Sequence, residues 1–139
     1  MTFDFRLRDR EERDLPFVAG SWLDSFAREG LAQRCAPFRN IKAAVGARIR
    51  QDARDLPCIV AHDPDDADAL WGFAIGEREG DHGILHWVYV TRHRRAAGLG
   101  RALVDAWDAA HGPVVAHRYA ARWTVRHSRE LPLCEEALR

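Results

Sequence analysis

Apolar and polar residues alternate at the start of the chain. Phe3, Phe5 and Leu7 are separated by Asp4 and Arg6, the period of a half-buried strand over 3–8. At Asp14-Leu15-Pro16 the period changes, because Asp favours a helix cap and Pro fits the first helical turn. The helix predicted there puts Phe17, Val18, Trp22, Leu23 and Phe26 on one face. A second helix is predicted over about 38–53, with Ile41, Val45 and Ile49 inside and basic residues outside. Cys58-Ile59-Val60-Ala61 reads as a buried strand, Asp63-Pro64-Asp65-Asp66 as its turn, and 70–75 as the next strand. Residues 77–83 read as a hairpin connection, and 84–90 as the strongest strand. An Arg- and Gly-rich turn then opens a helix over 99–110, with Leu99, Leu103, Val104 and Trp107 on its apolar face. Gly112-Pro113 stops that helix, a strand follows at 114–116, and 119–131 reads as helical. The order β-α-α-β-β-β-α-β-α predicts an α+β protein, one sheet with helices on it.

Composition adds limits. The 139 residues, 47% apolar and 30% charged, suit a single globular domain over 1–139. No apolar run approaches the ~20 residues of a membrane span, and the N-terminus lacks a signal-peptide core. Cys35, Cys58 and Cys134 are odd in number and form no C-x-x-C pair. That argues against a disulfide framework or a zinc site and for a reducing, cytoplasmic setting. Lys plus Arg equals Asp plus Glu, 21 against 21, with Lys42 the sole lysine. The zero sum hides two blocks. Residues 52–83 hold nine acids against two arginines, and residues 90–129 hold eight arginines against two aspartates. Such blocks can draw opposite ligands to one face; two solvated faces are the plainer explanation.

Chemistry concentrates in Val90-Thr91-Arg92-His93-Arg94-Arg95-Ala96-Ala97-Gly98-Leu99-Gly100-Arg101. A buried strand runs through an Arg/Gly turn directly into an amphipathic helix. The unpaired N–H groups of the helix start, and its macrodipole, make an anion cradle. Gly98 and Gly100 keep side chains out of the way, while Arg94, Arg95 and Arg101 can grip phosphate. The turn follows three strands rather than opening a β-α-β unit, which argues against a dinucleotide fingerprint. The Lys and Ser/Thr of a triphosphate loop are absent.

Arg95-Ala96-Ala97-Gly98-Leu99-Gly100 resembles the Gln/Arg-x-x-Gly-x-Gly/Ala signature of the GNAT N-acyltransferases, with Val90 eight residues before Gly98. The resemblance covers roughly residues 3–120 and extends to small phage- and prophage-type members. It implies a mixed, mostly antiparallel sheet. It also implies acetyl-CoA, or another acyl-CoA, as co-substrate, with no metal, and an amine-bearing acceptor attacking the thioester directly. The pyrophosphate would sit on the N–H groups of Arg95, Ala96, Ala97, Gly98, Leu99 and Gly100, with Arg101 beside it. Pantetheine would pair with backbone near Val88 and Val90.

Acyl transfer needs a base, donors for an oxyanion and an acid for the thiolate. His86 is the first candidate base, with Glu77 and Glu79 as fallbacks; a histidine merely buried in its strand is the competing reading. By strict alternation His86, Val88 and Val90 share a face opposite Leu85, Trp87 and Tyr89. Tyr119 is the candidate acid. Trp22, Ser25, Phe26, Arg28 and Arg34 fall where the family builds its acceptor wall. The chain departs from the family at its C-terminus, where the last strands are expected to be reduced or absent, with a homodimer able to complete the sheet. Two other functions stay open. One is a protein acting on a macromolecule such as nucleic acid, suggested by Arg39, Lys42, Arg48 and Arg50. The other is a CoA-binding pseudoenzyme.

Overall fold

The structure, a computed structural model, describes residues 4–29, 38–117 and 129–130. Its elements are β1 (Arg6–Asp9), a 3-10 turn (Glu12–Asp14), α1 (Leu15–Glu29), α2 (Phe38–Asp55), β2 (Cys58–Asp63), β3 (Asp66–Glu79) and β4 (His82–Val90). A 3-10 segment (Arg92–Ala97), α3 (Leu99–His111), β5 (Val114–His117) and β6 (Arg129–Glu130) follow. The strands form one sheet in chain order. The first three pairings are antiparallel, and β4–β5 and β5–β6 are parallel.

Alternation along the strands sorts side chains onto two faces. Val60, Phe73, Ile75 and Trp87 pack with Val18, Trp22 and Phe26 of α1 and Val45 and Ile49 of α2. Ile59, Ala61 and Ala74 pack on the other face with Leu99, Leu103 and Trp107 of α3. Both indole anchors are bonded. Trp87 Nε1 donates to Ser25 Oγ at 2.9 Å, and Trp107 Nε1 to the Pro57 carbonyl at 3.0 Å. A buried indole N–H left unmade would cost about 1–3 kcal/mol. No helix among the described residues is long and apolar enough to cross a membrane.

Several predicted boundaries change. Asp14 ends the 3-10 turn that runs into α1, and its buried carboxylate accepts the Glu11 N–H at 2.8 Å. Arg8 of β1 grips that carboxylate at 2.6 and 3.0 Å and reaches the Ala67 carbonyl of β3 at 2.9 Å. Burial pushes the Asp14 pKa up, but the Arg8 bond and the Glu11 N–H outweigh it, and the net shift is downward. The connection predicted over 77–83 shrinks to Gly80 and Asp81, so Glu77 and Glu79 stand within β3. Strand ends carrying exposed charges look like turns in sequence, because polarity there reflects solvent rather than geometry. Residues 129–130, predicted inside a helix over 119–131, instead pair with β5. A two-residue strand has no period of its own to reveal it. The rest of that stretch lies outside the described residues.

Candidate functional site

β4 and β5 are parallel neighbours, with Gly83, Ile84 and Leu85 paired to Val114, Ala116 and His117.

At its far end, β4 passes through Thr91 into the 3-10 segment and then α3. Thr91 N–H donates to the Trp71 carbonyl at 2.8 Å, which holds the turn against β3. Gly98, the N-cap of α3, has φ +73° and ψ +13°, a left-handed conformation that costs an L residue roughly 1–2 kcal/mol. Gly98 has no side chain with which to cap the helix, and no acid stands in its first turn, so neither occupies the first N–H groups. A Cβ at Gly100 would make only an ordinary van der Waals contact, with Val90 Cγ2 at 3.7 Å, so packing does not require glycine there. Arg94 lies with its guanidinium 3.9 Å above the centre of the Trp71 ring, and Arg101 is exposed. Leu99 differs from its neighbours: its side chain is buried in the α3-side core, which leaves only its backbone for the predicted cradle. Arg95, Ala96 and Ala97 contribute the 3-10 backbone.

The predicted alternation along β4 fails at one residue. Pairing with β3 steps from Ile75–Trp87 to Gly76–Leu85, leaving His86 as an extra residue. Such a bulge turns two successive side chains to one face. His86 therefore points with Trp87 toward α1 and α2, whereas Val88 and Val90 pack on the α3 side. The face predicted for His86 is corrected accordingly. A bulge needs a register mismatch with a second strand, and a single strand's sequence does not show it.

His86 is fully buried. Its ring meets the Trp22 ring edge-on at 6.2 Å between centroids. Nδ1 lies 3.4 Å from Asp52 Oδ2 of α2, and Nε2 lies 3.6 Å from Glu77 Oε1 of β3. Arg48, one turn earlier on α2, donates from Nε to both Asp52 oxygens at 3.2 and 3.1 Å. Glu77, predicted as a hairpin charge, keeps 30% of its side-chain surface exposed. Glu79 is exposed at the strand end. Asp52 was missed in the sequence. It is an acid near the end of a basic helix, and only the packing of α2 on the sheet brings it to His86.

The residues predicted for an acceptor wall divide. Trp22, Ser25 and Phe26 are fully buried in the core, Phe26 edge-on to Trp87, so they present no surface to an acceptor. Apolar residues at helical spacing went to the core, the more favourable place for their area. Arg28 is exposed and paired with Asp24 at 3.1 Å. Arg34 and Tyr119, the candidate acid, lie outside the described residues. Cys58 is buried, and burial pushes its thiol pKa far up, which makes it a packing residue. Among the described residues no group of three or more His, Cys, Asp or Glu could hold a metal ion.

No family model matches the chain, and neither does any curated protein. Solved structures do. The histone acetyltransferase HPA2 and related acetyltransferase from Corynebacterium glutamicum aligns at TM-score 0.60 and 19% identity, over 79% of this chain and 73% of that one. A GCN5-related N-acetyltransferase from Rhodopseudomonas palustris aligns at TM-score 0.56 and 18% identity, over 80% and 68%. The PaiA N-acetyltransferase from Thermoplasma acidophilum, in complex with coenzyme A, aligns at TM-score 0.53 and 13% identity, over 78% and 72%. At such identities the likeness is one of fold: this chain has the α+β fold of the GNAT acetyltransferases.

Proposed function

We propose that this protein is an acyl-CoA-dependent N-acyltransferase that moves an acetyl group onto an amine by direct attack. One observation carries the reading: β4 leads through a 3-10 turn into an acid-free helix start whose N-cap is the left-handed Gly98, with Gly100 two residues on. A pyrophosphate needs bare N–H groups, and a helix start of this kind offers them. Coenzyme A bound to the structurally similar PaiA enzyme supports the same ligand class.

The chain's residues divide the work. Backbone N–H groups from Arg95 to Gly100 bind the pyrophosphate, and Arg94, held on Trp71, and exposed Arg101 add charge. The β4 backbone around Val88 and Val90 aligns the arm by main-chain bonding. The co-substrate supplies an activated carbonyl. The protein must then take a proton from the acceptor ammonium, a role assigned to the His86–Glu77 pair. Tyr119 remains the proposed source of the thiolate's proton.

Calorimetry with acetyl-CoA, followed by thiol-release assays on a panel of amines, tests the reading. We expect saturable binding and release of free coenzyme A with at least one amine. No binding at millimolar acetyl-CoA would sink it.

A further inference from the structure

We propose that Asp52 and His86 are a buried positioning pair acting through Glu77, and that Glu77 is the group that takes the acceptor's proton. The proposal rests on the acyltransferase reading and assigns roles within its site. Four elements meet here: α1 with Trp22, α2 with Arg48 and Asp52, β3 with Glu77, and β4 with His86.

Exposure orders them. His86 has no surface and cannot touch an acceptor in this conformation, whereas 30% of the Glu77 side chain is open. The titratable groups form a line running inward: Glu77, His86, Asp52, with Arg48 behind. Arg48 fixes the Asp52 carboxylate through both oxygens. An ionised carboxylate only accepts hydrogen bonds, and Asp52, the nearer of the two acids, draws the neutral imidazole's hydrogen to Nδ1. Nε2 is then the acceptor for a hydrogen from Glu77 once that carboxyl has taken a proton. Separations of 3.4 and 3.6 Å are loose for hydrogen bonds, as is common before substrate binds. The bulge is what permits the line, since regular alternation would turn His86 to the α3 side.

The proton path balances. An N–H bond of the acceptor ammonium breaks and an O–H bond forms on Glu77, leaving the amine lone pair free. The proton passes to His86 Nε2, giving an imidazolium between two carboxylates and restoring the Glu77 anion. After product leaves, it returns through Glu77 to water.

Histidine-labelled protein reports the tautomer by long-range proton–nitrogen NMR. The wild type should show hydrogen on Nδ1 when the ring is neutral. Asp52→Asn keeps the shape but leaves one acceptor oxygen, which Arg48 claims, so the amide NH2 turns toward His86 and the tautomer should switch to Nε2–H. The same variant should lose roughly 10–100-fold in kcat, with acetyl-CoA affinity within twofold of wild type. Glu77→Gln, a partly exposed substitution that should fold, should lose about 100-fold or more in kcat and keep the Nδ1–H tautomer. A wild-type Nε2–H ring, an Asp52→Asn ring that does not switch, or full kcat in Glu77→Gln would each overturn the proposal. Failure of acetyl-CoA to bind the wild type would remove the acyltransferase reading itself and this assignment with it. Binding with an unmoved tautomer would remove only the pair.

Discussion

The two faces of the sheet hold two kinds of candidate site. On the α3 side, the proposed cradle is made of consecutive backbone groups from Thr91 to Arg101, among them the left-handed Gly98. On the α1/α2 side, His86, Glu77 and Asp52 come from β4, β3 and α2, spaced up to 34 residues apart and joined only by packing. A site of consecutive backbone donors tolerates change in the distant core. A site of converging side chains depends on every element that aims them.

The comparison can be tested from its largest effect downward. Trp87→Ala should cost about 3–5 kcal/mol in denaturant unfolding, since it empties the core under α1 and strands the Ser25 bond. A loss below 1 kcal/mol would show that this face does not rely on its central indole.

Asp14→Asn probes a second long-range tie and should cost about 2–3 kcal/mol, less than a fully buried pair, because Arg8 keeps 18% of its side-chain surface. The wild-type Asp14 pKa is depressed in the folded state. Its contribution is therefore complete above the unfolded value of ~3.9 and fades as pH falls through the lower folded value. Urea midpoints measured between neutral and strongly acid pH should drop more steeply in wild type than in Asp14→Asn; equal slopes would exclude the pair as a source of acid sensitivity.

Gly100→Ala should separate ligand from fold. Its Cβ would occupy the cradle, and at least a tenfold loss of acetyl-CoA affinity is expected, about 1.4 kcal/mol. The melting temperature should hold or rise, as alanine outranks glycine in a helix by ~1 kcal/mol. Unchanged affinity would mean that no ligand approaches this backbone.

Arg94→Ala is the smallest expected change, about 0.5–1 kcal/mol of stability from the lost stacking on Trp71. Its acetyl-CoA affinity should become less sensitive to salt than that of wild type, and identical salt slopes would remove Arg94 from the cradle.

Wherever spacing is local, the sequence was readable. The helix predicted over 99–110 is α3 at 99–111, and the strand over 84–90 is β4 at 82–90. Polarity misled where it marked exposure rather than turning: Glu77 and Arg78 read as a loop and are strand. Hydrophobic spacing was the better guide to Trp22 and Phe26: it put them on the apolar face of the first helix, and they are core, whereas the family resemblance put them in an acceptor wall.

The amino-acid order by itself determined most of the alternating faces, the helix starts and stops, and the glycines of the proposed cradle, because each depends on neighbours within a few residues. Tertiary structure alone decided that His86 faces α2 rather than α3, and that Asp52 and Glu77 meet it there. The reason is register: one extra residue in β4 against β3 reverses a side chain's direction, and only the paired strands determine where that residue falls.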